Sequence, residues 1–213
     1  MRLFMIRHGQ SYVNLKEWDE GNMDMGLTEL GHQQAEALGK WIPTEVTQID
    51  ALYVSTMKRA QETAEYVSNA YKNVTPIPEP RIREIGNNQV TKDPWPNEEL
   101  PEYGNYWGSE RPFHSITPDH PGGESLMHFR IRIGEFFEDL VEKHDGETVV
   151  AVCHGGVIEM AFDHMFNIGP WRRAEVFTKN TGISRFEYGH TPHREYWRIY
   201  YHSRMDHLIG IES

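Results

Sequence analysis

The chain has 213 residues, 38% of them hydrophobic, 12% aromatic and 25% charged, which excludes a fibre or a disordered tail. A single cysteine, Cys153, rules out an intramolecular disulfide scaffold and fits a reducing compartment best. The formal charge of -11 argues against nucleic acid and anionic membranes as partners, since both reward Lys and Arg; a small anion held by a few clustered cations stays open.

Leu3 to Ile6 is a short, non-alternating apolar run, as expected for a strand buried on both faces of a parallel sheet. Arg7 interrupts it, so it is no secretory signal, and the longest apolar run, Val149 to Cys153, falls far short of the ~20 residues of a membrane span. The expected location is cytoplasmic. Thr28 caps a first helix predicted to run to Trp41, ahead of Pro43. Ala51 to Val54 reads as a second strand, with Ser55-Thr56 as cap of a helix whose stripe is Met57, Ala60, Ala64, Val67 and Tyr71. Pro80 to Arg83 reads as a short extended segment. Leu126, Phe129, Ile133, Phe136 and Leu140 then mark a helix running to Lys143, and Thr148 to Cys153 a strand followed by a helix from Val157 to Phe166. Ile183 to Tyr188 and Tyr196 to Tyr201 form a predicted edge hairpin around Gly189 and Thr191-Pro192.

Alternating strands and helices imply one α/β domain over residues 1–213, three layers deep, with a largely parallel central sheet. The stretch 86–120 lacks periodicity yet carries Trp95, Tyr103, Tyr106, Trp107 and Phe113, which favours an inserted cap or lid over disorder.

Open α/β sheets bind ligands beyond the carboxyl ends of their strands. Those positions hold Arg7 and His8, Arg59, His154, and the pair Arg83-Glu84. Arginine offers phosphate oxygens a planar fork, and one cation 4 Å from one anionic charge contributes roughly 4 kcal/mol at an effective dielectric of 20, before desolvation. Cys153 beside His154 invites a Cys-His reading, but neighbouring strand residues point to opposite faces, which makes it a core residue. His190-x-x-His193 sits in a Pro-containing turn without paired Cys or carboxylate, so no metal site is expected there.

Arg7-His8-Gly9-Gln10-Ser11 after an N-terminal apolar strand resembles the signature of the histidine phosphatase superfamily, the phosphoglycerate mutase-like family. Further blocks follow in the family's order: Asn14, Leu27 to Gly31, Ser55 through Arg59-Ala60, Pro121 to Ser125, and Cys153-His154-Gly155-Gly156. The resemblance implies catalysis through a phosphohistidine on His8, with Arg7, Arg59, Asn14 and His154 holding phosphate oxygens and no cofactor or metal. Neighbouring guanidinium groups would keep His8 neutral and its lone pair available. Glu84 is the family-matched proton donor; because this chain continues Ile85-Gly86-Asn87-Asn88 rather than with the family's usual acidic-Gly pair, Glu124 stays in reserve. Arg111, His114 and Glu124 are candidate substrate contacts, as are Arg172 and Arg173.

The implied partner is a small phosphorylated substrate, and the implied reaction is phosphomonoester hydrolysis. A phosphoglycerate mutase-type transfer is the alternative, and a catalytically silent phosphate-binding regulatory module the second. His154-Gly155-Gly156-Val157 resembles the phosphatase branch, since mutases usually carry Asn after the His-Gly pair. A homo-oligomer is compatible with the sequence, which leaves the assembly open.

Overall fold

The computed structural model describes residues 1–17, 24–72, 74–85, 124–168 and 175–211. Its elements in chain order are β1 (Arg2–Arg7), α1 (Glu29–Glu45), β2 (Ala51–Val54), α2 (Lys58–Asn69), β3 (Pro76–Pro78), α3 (Leu126–Lys143), β4 (Thr148–Cys153), α4 (Gly155–Phe166), β5 (Ile183–Thr191) and β6 (Arg194–Arg204). They form a single α/β domain around a six-stranded sheet of order β3-β2-β4-β1-β5-β6. The first four of these are parallel, and β5 and β6 are antiparallel.

Strand side chains alternate between faces, and both faces are covered. Leu3, Met5, Val149, Ala151 and Cys153 join Phe129, Ile133, Phe136 and Leu140 of α3 and Val157 and Ala161 of α4 in one cluster. On the opposite face, Phe4, Ile6, Leu52, Val150 and Val152 meet Leu38 and Ile42 of α1 and Ala60, Ala64 and Val67 of α2. Full burial on both faces is why these strands read as continuous apolar runs. Among the described residues, no helix is long and apolar enough to cross a membrane.

Several boundaries differ from the sequence reading, each for a local reason. Thr28 caps α1 through a hydrogen bond from the Gly31 N–H, but the helix passes Pro43 and ends at Glu45. In the last turn a proline forfeits only its own donor, and Val46 N–H still bonds to the Ile42 carbonyl. The helix after β2 has Met57 rather than Ser55-Thr56 at its N-cap; Ser55 Oγ accepts from the Met57 N–H at 3.3 Å and also lies 2.7 Å from His154 Nε2. The extended segment near residue 80 lies earlier, at β3, and Pro80–Ile82 is a 3-10 turn. The α4 helix starts two residues before Val157, and the hairpin strands extend well beyond their apolar centres.

Candidate active site

The parallel strands β1, β2 and β4 end side by side, bringing together Arg7-His8, the start of α2 and His154, the N-cap of α4. The turn after β1 is drawn against α1: a Cβ on Gly9 would lie 2.6 Å from the Gly31 carbonyl oxygen, so only glycine fits. The Gly9 N–H donates to Thr63 Oγ1 at 3.0 Å, and Thr63 donates to the Arg59 carbonyl at 2.8 Å, tying this turn to α2.

His8 is 2% exposed, with its Nδ1 2.7 Å from the Gly9 carbonyl oxygen. That contact needs a proton on Nδ1, which leaves the lone pair on Nε2. Arg59 Nε donates to that nitrogen at 3.2 Å, while Arg59 Nη1 pairs with Asp24 at 3.3 Å. His154 is fully buried; its ring centroid is 5.2 Å from that of His8, and its Nε2 is 2.7 Å from Ser55 Oγ. His154 Nδ1 is buried and has no partner among the described residues.

Burial pushes both imidazoles well below the ordinary 6.5, and nearby guanidinium groups push the same way, led by Arg59 for each. Both rings are therefore neutral at pH 7. Burial, opposed by Glu84, lowers Arg7, whose Nη1 donates to the Thr178 carbonyl at 2.6 Å. The unfolded chain protonates these imidazoles near pH 6.5 and the native chain does not, so below that pH the unfolded state binds more protons. Stability is then expected to fall as pH drops from 7 toward 5, by ~1.4 kcal/mol per pH unit for each imidazole. Urea midpoints at pH 7 and 5.5 measure this; a smaller pH dependence in wild type than in His8→Ala would contradict the assignment for His8.

Asn14 Oδ1 accepts from the Ser11 N–H at 3.1 Å, from Ser11 Oγ at 3.0 Å and from Asn180 Nδ2 at 3.3 Å, so only its Nδ2 end is left to donate. Glu84 reaches the start of α4: its Oε1 accepts from its neighbour's N–H on Ile85 at 3.0 Å and its Oε2 from Gly156 N–H at 3.2 Å. A Cβ on Gly156 would run into Glu84 Oε1. Glu124, by contrast, has both oxygens on Arg132, at 2.6 Å to Nε and 2.9 Å to Nη2. A cavity of about 220 Å³ lined by Arg7, Gln10, Gln34, Phe177, Lys179 and Asn180 adjoins this constellation through Arg7.

The structure thus brings Arg7, His8, Arg59, Glu84 and His154 together and sets Glu124 into an ion pair. Arg111, His114, Arg172, Arg173 and the 86–120 stretch lie outside the described residues. Cys153 is buried and its thiol is pushed up by burial, in keeping with a core residue. His190 lies 3.6 Å from Asp145, and among the described residues no cluster of metal-ligating side chains occurs.

The sequence places Arg83 beside Glu84 at a segment end without giving it a role, and it does not place Asn180 or Arg132 in the site at all. Arg83 is 2% exposed, donates to Thr56 Oγ1 at 2.9 Å and lies near enough to His154 to depress it. Asn180, which donates to the His8 carbonyl at 3.0 Å, and Arg132 carry no local signal, because their partners are distant in sequence.

Arginines and histidines gathered at the carboxyl ends of parallel strands suit a phosphate group, and the comparisons place the chain among phosphatases and phosphoglycerate mutase-like proteins. The family model of the histidine phosphatase superfamily, branch 1, matches residues 3–198, and the chain belongs to that superfamily. The 2,3-bisphosphoglycerate-dependent phosphoglycerate mutase of Brucella anthropi is 31% identical over 175 residues, covering 76% of this chain and 81% of its own. A mutant phosphoserine phosphatase of Entamoeba histolytica, solved with phosphoserine, matches with a TM-score of 0.70 at 25% identity, over 97% of this chain and 98% of its own. A mycobacterial glucosyl-3-phosphoglycerate phosphatase, at 24% identity and a TM-score of 0.69 over 94% and 97% of the two chains, attests to the fold.

Proposed function

We propose that the protein is a phosphomonoesterase that hydrolyses a small phosphorylated metabolite through a phosphohistidine on His8. The observation that carries this reading is the state of His8: buried, neutral, its Nδ1 fixed on the Gly9 carbonyl and its Nε2 lone pair beside Arg59. Attack by Nε2 on phosphorus forms the N–P bond and breaks the P–O bond to the alcohol. Arg59, already 3.2 Å from Nε2, is within reach of an oxygen on phosphorus bound there, and Arg7, Asn14 and His154 supply further donors. Fixed donors around the transferring group stabilise charge spread over its oxygens without reorganising during the reaction.

The departing alkoxide takes a proton from the carboxyl of Glu84. In the second half, the Glu84 carboxylate removes a proton from water as that water attacks phosphorus, which releases phosphate and restores neutral His8. Glu84 suits the role better than Glu124, whose two oxygens are held by Arg132. Arginine and imidazole donors occupy the positions around phosphorus, so a divalent ion has no assigned task.

The mutase of Brucella anthropi keeps transfer back to substrate as the second reading. Gly156 favours hydrolysis, because the Asn usual in mutases would collide with Glu84 where it now sits. Incubation with 3-phosphoglycerate and other phosphorylated metabolites separates the two. Hydrolysis predicts inorganic phosphate in proportion to substrate lost, unchanged after prolonged EDTA treatment. Formation of 2-phosphoglycerate dependent on a bisphosphate primer, with little phosphate released, would establish the mutase instead.

A further inference from the structure

We propose that Arg132 is the positioning residue of this active site: a partly buried guanidinium clip that sets the backbone carrying Arg83 and Glu84, so that the Glu84 carboxyl stands at the start of α4. The inference rests on the reading of Glu84 as proton donor and goes beyond it by assigning what holds that donor in place.

Arg132 lies two turns into α3, far in sequence from the segment it serves. Its Nε and Nη2 grip Glu124 in a two-point pair at 2.6 and 2.9 Å, and the side chain of Glu124 is fully buried. Its Nη1 donates to the carbonyls of Arg81 and of Arg83, the latter at 2.8 Å, and its Nη2 donates to the Glu84 carbonyl at 3.2 Å. These contacts use all five N–H groups of a guanidinium. The guanidinium carbon also lies 4.7 Å from the centre of the Phe129 ring, so one face is covered by the same helix.

Arg81 lies in the 3-10 turn Pro80–Ile82 and Arg83 and Glu84 in the chain leaving it, where strand pairing no longer constrains the backbone. Without Arg132 those oxygens would have to find other donors, and Glu124 would be a buried carboxylate without its two-point cation. The effect reaches the chemistry through one residue. Glu84, held at its carbonyl by Arg132, places its carboxylate on the Gly156 N–H beside the His154 cap, and the preceding Arg83 enters the same site. Lysine has three donors and no planar fork, so Arg132→Lys keeps a charge near Glu124 but cannot hold this set.

The test compares Arg132→Lys and Glu124→Gln with wild type on an alkyl phosphate and on p-nitrophenyl phosphate, whose leaving phenolate needs little protonation. A proton donor shifted by about 1 Å should lower kcat on the alkyl phosphate by ~10²-fold. The phosphorylation burst with p-nitrophenyl phosphate should change little, and orthovanadate should bind as in wild type. In the Glu84→Gln background, Arg132→Lys should add no further loss on the alkyl phosphate, since nothing is left to position. Equal losses in the rate of the phosphorylation step on both substrates, or a full extra loss on top of Glu84→Gln, would assign Arg132 to general stability and overturn the proposal. So would failure of both Arg132→Lys and Glu124→Gln to fold. If Glu84→Gln itself behaves as wild type on both substrates, the proton-donor reading has failed; if it shows the leaving-group-dependent loss and folded Arg132→Lys does not, the clip alone has failed.

Discussion

Replacing His8 with alanine should lower turnover by ~10⁴–10⁶-fold, the scale of losing a covalent nucleophile, while leaving a folded protein that still binds phosphate. The size follows from the site's composition. Arg7, Arg59 and His154 remain to hold oxygens, and Asp24 still pairs with Arg59, so binding survives without the atom that forms the N–P bond. Removing a buried neutral ring leaves no unpaired charge behind. Phosphate release by stopped assay together with isothermal titration of inorganic phosphate measures both halves. Turnover within tenfold of wild type would remove His8 from the role of nucleophile, and loss of phosphate binding with a collapsed fold would make it structural.

Glu84→Gln should slow hydrolysis of alkyl phosphates by ~10²–10⁴-fold and phosphorylation by p-nitrophenyl phosphate far less. Glutamine keeps one acceptor oxygen where Glu84 uses two, Oε1 for the Ile85 N–H at 3.0 Å and Oε2 for the Gly156 N–H at 3.2 Å, so it is the dependence on leaving group, not the loss itself, that reports proton transfer. If the same carboxylate activates water, dephosphorylation becomes limiting with the activated ester, and burst amplitude rises relative to the steady rate. Glu124→Gln is the comparison. It should lose activity with the same leaving-group pattern through displacement of Glu84, but with lowered thermal stability, because it weakens a buried two-point ion pair. Wild-type behaviour of Glu84→Gln beside loss in Glu124→Gln would move the acid to Glu124.

What the chain discloses locally and what it withholds divide along contact range. The runs Leu3 to Ile6, Ala51 to Val54 and Thr148 to Cys153 were legible as strands because both faces are covered, leaving no polar alternation to confuse them. The stripe from Leu126 to Leu140 was legible for the same reason on one helix face. Ser55 misleads as a cap because the helix begins beyond Met57, and its hydroxyl also serves a histidine 99 positions away. The hairpin outgrew its apolar centre because β6 is an edge strand with no buried residue, and its polar end still pairs in register with β5, Thr191 opposite Arg194 and His190 opposite Glu195. Arg7, His8, Arg59 and His154 stood out because each follows a strand end in sequence. Arg132 and Asn180 did not, since one reads as an ordinary helix charge and the other as loop, and their roles exist only through carbonyls brought near by the fold. The residues Arg111 and His114 remain expectations from the sequence.

A covalent bond between phosphorus and His8 is detected by rapid quenching of wild-type enzyme with substrate labelled in its phosphoryl group. Label should appear on the protein within the first turnover, stable in base, lost in acid, mapped to the peptide containing Arg7-His8-Gly9 and absent from His8→Ala. Label that survives acid and maps to serine, or turnover with no label bound at any quench time under conditions where dephosphorylation is limiting, would contradict it.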